Sequence, residues 1–243
     1  MDHLIIPAKY CKQSFFYRMC SQIAKRMEQR RQHIHNVCQQ PIISENYTAV
    51  KGREFPLANV RWCLIPKCGT TFVRQVSQYM KTLEVSQSNT TSGPTVAVLR
   101  DPYERLVAGY LDKVLLRPSW FPKLGHKVMM LSGVLGKNSD WTDRCSIYAT
   151  FPQFIKYFIH SERSGKARDT HFTPMSGQCD FCYNNFTYIG HLDTLYEDID
   201  FIFRKSNISM DMSTVKFQRD TKIQKVLETE REFVDKCVDM SVA

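Results

Sequence analysis

Two segments of this chain repeat one plan: a short apolar run, a turn rich in charged or hydroxyl side chains, then an amphipathic helical stretch. The first is NVRWCLI (59–65), PKCGTT (66–71) and TFVRQVSQYMKTL, in which Phe72, Val73, Val76, Tyr79 and Met80 mark one helical face. The second is TVAVLR (95–100) followed by DPYERLVAGYLDKVLL. Here Asp101 can cap the helix and Pro102 occupies its first turn, where proline costs nothing. Leu106, Val107, Tyr110 and Val114 form the apolar face. Strands alternating with helices predict an α/β fold, a mainly parallel central sheet with helices on its faces.

The remaining pattern fills out that fold. FPQFIKYFIHS (151–161) reads as a core helix and FTYIGHL as a further strand. Thr194 with Glu197 gives a capping-box start for TLYEDIDFIFRKSNI. Residues 117–145, rich in Pro, Gly, Ser, Lys and Trp, read as a long surface excursion, and the tail from about 213 as charged and helical. Residues 1–50 read as a stem-like segment and 51–243 as the domain. Within the stem, Ile23, Met27, Ile34 and Val37 share a helical face among Lys25, Arg26, Arg30 and Arg31, which predicts a helix packed on the domain with its basic side in water.

Composition narrows the partners. At 43% hydrophobic and 12% aromatic the chain can bury a core, and its charge of 33 − 24 = +9 points to anionic partners. Nucleic acid is disfavoured, because no aromatic residues interleave with the basic run. Nine cysteines, together with sequons at Asn46, Asn89, Asn185 and Asn207, fit an oxidising, glycosylating compartment. No run of about 18 apolar residues is present, and MDHLIIPAKY has no apolar core behind a charged start. The expectation is that any membrane anchor lies outside this sequence.

PKCGTT sits where α/β proteins bind anions, at the carboxyl end of a strand and the amino end of a helix. Gly69 permits close backbone approach, Thr70 and Thr71 add hydroxyls, and Lys67 adds a mobile charge. A Walker A loop needs a second glycine and a lysine at its end, so a kinase reading lacks its main motif.

Strand-Pro-Lys-x-Gly-Thr-Thr-helix, then strand-Arg-Asp-Pro-aromatic-Glu-Arg-Leu-Val-helix, resembles the Golgi carbohydrate sulfotransferases, especially the chondroitin and dermatan 4-O-sulfotransferase group. DTHFTPMSGQCDFCYNNFTYIGHLDTLYED (169–198) and RRQHIHNVC (30–38) extend the likeness from about residue 30 to about 205. The resemblance implies a P-loop-like three-layer sandwich and transfer of a sulfuryl group from 3′-phosphoadenosine-5′-phosphosulfate to a sugar hydroxyl, with no metal. Pro66, Lys67, Cys68, Gly69, Thr70 and Thr71 would form the 5′-phosphosulfate pocket, and Arg100 would take the 3′-phosphate. Lys67 would stabilise the leaving phosphate, and His171, in the Asp-x-His motif, would be the base, with His126 in reserve.

Two positions depart from the family pattern. Ala108 replaces a serine that contacts the 3′-phosphate, at a cost of about 1 kcal/mol, and Phe172 replaces a tryptophan. The alternative is a catalytically silent glycan- or nucleotide-binding module on the same fold. The resemblance also implies an acidic glycan or proteoglycan acceptor and the Golgi lumen. Cys179-x-x-Cys182 has no second ligand pair at finger spacing, so structural disulfides, not necessarily with each other, are its expected use. Asp101, Glu104 and Arg105 read as residues bracing the second turn. Arg74, Lys113, Arg117, Lys123, Lys127 and Arg168 read individually as solvated charges, available to an acidic acceptor.

Overall fold

A computed structural model describes residues 14–39, 53–82, 93–116, 121–133, 135–136, 148–164, 169–210 and 212. The sequons at Asn46 and Asn89, Arg117, Arg168 and the tail from 213 lie outside them. The described chain divides into two compact units, one running up to Pro102 and resuming at Thr173, the other spanning Tyr103–Phe172.

The first unit is built on a four-stranded sheet in the order β1-β2-β3-β4. Strand β1 (Arg53–Leu57) pairs antiparallel with β2 (Val60–Leu64) through a tight turn at Ala58 and Asn59. Pro56 is tolerated because β1 is an edge strand. Strands β3 (Thr95–Leu99) and β4 (Tyr188–His191) continue parallel, so the predicted, mainly parallel sheet is present.

Alternation splits the sheet into two apolar faces. Val60, Trp62, Leu64, Val96 and Val98 pack on one side with α2 (Thr70–Thr82) and α6 (Leu195–Lys205), whose Phe72, Val76, Met80, Ile199 and Ile202 are buried. On the other side Cys63, Ala97 and Ile189 are covered by Cys179, Phe181 and Phe186 of an irregular segment and by Ile34 of α1 (Ser14–Cys38). Disulfides Cys38–Cys182 and Cys63–Cys179 tie that segment down. The two cysteines of the Cys-x-x-Cys pair are therefore structural and bond to different partners.

Helix α1 buries Ile23 and Met27 as its period predicts, but two of its basic residues are not simply in water. Arg26 and Arg30 each donate to Asp198, at 2.7 Å, and the Asp198 side chain is only 1% exposed. The same carboxylate accepts from the Thr194 hydroxyl at 2.7 Å and the His191 amide at 2.9 Å. The expected capping box at Thr194 therefore does not form, because the buried carboxylate claims the hydroxyl that would have capped α6.

The second unit holds α3 (Pro102–Tyr110), a π-helical turn (Leu111–Leu115), α4 (Pro122–Leu131) and α5 (Phe151–Arg163). Its core joins Tyr110, Val114, Val128, Phe154, Tyr157 and Phe172. The surface excursion expected from 117 is thus partly a core-forming helix. Val107, assigned to the apolar face of α3, is exposed, whereas Arg105 is buried and donates to the Thr170 carbonyl at 3.1 Å. Lys113 is also buried, 3.2 Å from Asp112 and 3.9 Å above the Phe121 ring centroid, so it is not a solvated surface charge. Among the described residues no helix is long and apolar enough to cross a membrane.

Candidate active site

The chain leaves β2 through a tight turn in which the Cys68 amide donates to the Ile65 carbonyl at 3.2 Å. Pro66 and Lys67 fill its centre, and Lys67 has φ +68°. That is the layout of a type II turn, with lysine where glycine or asparagine is usual. Holding an L-residue there costs about 1 kcal/mol. Strain of this kind is kept where the side chain is needed and the surrounding structure over-determines the backbone.

Gly69 follows at φ +82°, and its carbonyl accepts from the Val73 amide at 3.1 Å, opening α2. A Cβ at this position would stand 3.1 Å from Leu195 Cδ2 and 3.4 Å from Leu192 Cδ1, so both conformation and space require glycine. The amides of Thr70 and Thr71, in the first turn of α2, have no intrahelical acceptor and lie at the positive end of the helix dipole. Thr71 is exposed and Thr70 half-buried. The Cys68 thiol is turned inward, 3% exposed and 3.6 Å from Met175 Sδ. Its amide is spent within the turn, so this residue shapes the loop.

Arg100 is the residue that follows β3. The parallel register Cys63↔Ala97 carries on to set the Pro66 turn beside it, and Arg100 Nη1 stands 3.5 Å from the Lys67 carbonyl oxygen. That contact is long and weak. Its value is positional: it puts two cationic side chains, reached through two separate crossovers, at one edge of one sheet. The carboxyl ends of adjacent parallel strands are where open α/β sheets take ligands.

A third strand ends at the same edge, with His191 opposite Leu99. His191 Nδ1 lies 3.2 Å from Asp193 Oδ2, and the side chain is 31% exposed. Sequence reasoning passed over this histidine. The signal was present, since FTYIGHL and the helix after it form a third copy of the strand–turn–helix plan, but its turn carries neither the glycine nor the lysine that drew attention to the first.

His171 belongs to the second unit, in a tight turn closed by the Phe172 amide donating to the Asp169 carbonyl at 2.8 Å. Its ring Nδ1 is 2.5 Å from Asp169 Oδ1, and its own amide donates to the same oxygen at 2.9 Å. Burial pushes the Asp169 carboxyl upward. The bonds from the His171 ring and amide, with the charges of His171 and Lys113, outweigh burial and hold it below its ordinary value. Phe172, at the tryptophan position of the family pattern, is buried with its ring centroid 4.9 Å from that of Phe154. His126 lies half-buried on α4, and Ala108 lies on α3. Among the described residues no cluster of three His, Cys, Asp or Glu side chains has metal-binding geometry.

The chain was compared with known proteins. A family model described as "Sulfotransferase family" matches residues 55–236. The chain is 25% identical over 118 residues to carbohydrate sulfotransferase 10 of Danio rerio, across 46% of this chain and 32% of that protein. It is 26% identical over 106 residues to carbohydrate sulfotransferase 8 of Mus musculus, across 44% and 25%. With carbohydrate sulfotransferase 11 of Rattus norvegicus it shares 23% over 142 residues, across 54% and 38%. The matches thus span between a quarter and two fifths of the length of these relatives, and at such similar identities none of their subgroups stands out. No solved structure matches the chain. With three quarters of its length under one family model, and with the two phosphate-type turns side by side, the chain belongs to the sulfotransferase family.

Proposed function

We propose that this chain is a carbohydrate sulfotransferase that moves a sulfuryl group from 3′-phosphoadenosine-5′-phosphosulfate to a hydroxyl of an acidic glycan or proteoglycan in the Golgi lumen. The observation that carries the reading is the meeting of Arg100 with the Lys67 turn at one sheet edge. The residues suit a doubly phosphorylated nucleotide. Gly69, Thr70 and Thr71 offer a backbone cradle, hydroxyls and a helix amino terminus to the 5′ end, and the forked Arg100 guanidinium suits the 3′-phosphate.

Sulfuryl transfer is an in-line displacement helped mainly by positioning and electrostatics. In this reading His171 takes the proton from the acceptor hydroxyl as that oxygen bonds to sulfur. The bond from sulfur to the phosphate oxygen breaks, and Lys67 offsets the charge left on that phosphate. The products are the sulfate ester and 3′-phosphoadenosine 5′-phosphate, with the proton resting on His171. An acidic acceptor suits the formal charge of +9.

Two measurements test this. Isothermal titration with 3′-phosphoadenosine 5′-phosphate is expected to give micromolar binding that Arg100→Ala weakens at least tenfold. Labelled donor with a panel of desulfated glycosaminoglycans is expected to yield labelled glycan. Neither binding nor transfer would end the reading. Binding without transfer to any acceptor would favour a silent nucleotide-binding module, a reading that the missing hydroxyl at Ala108 also supports.

A further inference from the structure

The Asp169–His171 pair defines a choice that an isolated histidine leaves open. A neutral imidazole carries its proton on one ring nitrogen and a lone pair on the other. An ionised carboxylate is only an acceptor, so a neutral ring bonded to it through Nδ1 must hold its proton there. Asp169 Oδ1 lies 2.5 Å from that nitrogen and also receives the His171 amide, so one oxygen fixes both the backbone and the ring of the same residue. The carboxyl is held below its ordinary value, which keeps it an acceptor at neutral pH.

Two further contacts make the arrangement rigid, and one nearby charge favours its ionised form. Arg105, buried in α3, holds the Thr170 carbonyl at 3.1 Å, between the two members of the pair. Gly109 lets α3 come so close that a Cβ there would meet Phe172 Cε1 at 2.7 Å and the His171 carbonyl oxygen at 3.5 Å. Lys113, buried in the π-helical turn, adds a positive charge that favours the ionised carboxylate.

From this geometry we infer that Asp169 is a positioning residue for sulfuryl transfer: it locks His171 in the Nδ1–H tautomer, leaving Nε2 as the nitrogen that takes the proton from the acceptor hydroxyl. The inference rests on the proposed function for its chemical purpose, but its structural half can be read without turnover. The carboxylate also stabilises the imidazolium formed when Nε2 gains its proton, the role a buried acid plays beside histidine in other enzymes.

The test uses the full chain, selectively labelled with ¹⁵N in histidine. Long-range ¹H–¹⁵N correlation, with the ring neutral, is expected to show His171 as the Nδ1–H tautomer. In Asp169→Ala it is expected to become mainly Nε2–H. In the same variant kcat for transfer should fall about 10- to 100-fold, less than the roughly 10²–10⁴-fold that a general base supplies as a whole, because His171 itself remains, while the Kd for 3′-phosphoadenosine 5′-phosphate stays within about twofold. Asp169→Asn keeps the shape without the charge and should lie between, and it serves if the alanine variant does not fold. An Nε2–H ring in the parent protein would overturn the inference, as would an unchanged tautomer and kcat in both variants. If the parent protein binds no nucleotide and transfers nothing, the proposed function fails, while the tautomer still decides whether Asp169 sets the ring.

Discussion

Arg30 and Asp198 meet at 2.7 Å across 168 residues of sequence, joining a basic position of α1 to a buried carboxylate of α6. The same guanidinium donates to the Ile189 carbonyl at 3.2 Å and the Thr194 hydroxyl at 2.9 Å. One arginine thus holds β4, the turn after it and the helix that follows. A buried carboxylate is tolerable only while its donors are present. Arg30→Ala is expected to destabilise the protein by about 1.5–3 kcal/mol, the worth of charge-assisted bonds to a carboxylate that keeps its Arg26 partner, read as a lowered denaturant midpoint at unchanged m. Loss of under 1 kcal/mol would mean that Arg26 and solvent satisfy Asp198 without Arg30.

The Lys67 turn predicts opposite effects on stability and binding. Lys67→Gly and Lys67→Ala both remove the cation, but only glycine takes φ +68° without strain. The glycine variant should be about 1 kcal/mol more stable than the alanine variant. Both should lose nucleotide affinity by a similar factor. Equal stabilities in thermal denaturation would show that the turn relaxes out of the left-handed region.

Gly109→Ala tests the packing of α3 against the Asp169–Phe172 turn. The added methyl would overlap the Phe172 ring, which is itself buried against Phe154 and has little room to retreat. The expected cost is about 1–3 kcal/mol. Transfer should fall by more than the folded fraction does, because the clash shifts His171. Full activity in a folded Gly109→Ala would separate that turn from the chemistry.

Tyr110 makes the second unit sensitive to alkali. Burial pushes its hydroxyl up to about 12, and the group donates to the Ala149 carbonyl at 3.0 Å. An unfolded tyrosine ionises near 10. The folded protein therefore holds this proton over a window in which the unfolded chain has lost it. Stability due to the neutral phenol is complete below about pH 10 and declines as pH rises towards 12. Tyr110→Phe should remove that part of the slope in denaturation measured from pH 9 to 12, and an unchanged slope would contradict it.

Much of the sheet was legible in the sequence because its punctuation is local. PKCGTT and RDP each follow a continuous apolar run and precede a helical period, so β2–α2 and β3–α3 could be read directly. Strand β1 escaped because its hairpin turn is Ala58-Asn59, with φ +51° at Ala58, and not the Asn-Gly pair that advertises such turns. Helix α4 was hidden by Pro122 and Gly125, although Leu124, Val128 and Leu131 carry the helical spacing. The partners of Arg26, Arg30 and Arg105 could not be read, because a basic residue on a helix looks the same whether it meets water or a buried oxygen far along the chain. His171 was singled out through a motif. What holds it is the contact between α3 and a turn some sixty residues later, which no local spacing reveals.

The bond from Cys63 to Cys179 also imposes an order of events. Cys63 emerges from the ribosome 116 residues ahead of its partner, roughly ten seconds at ordinary synthesis rates. During that delay its thiol sits five residues from Cys68, which must finish reduced inside the phosphate-type turn. A premature bridge between the two would deform that loop before the later strand arrives. Oxidant supplied before Cys179 emerges is therefore expected to trap a Cys63–Cys68 bridge and a distorted Pro66–Thr71 turn, read as a lowered yield of the Cys63–Cys179 disulfide.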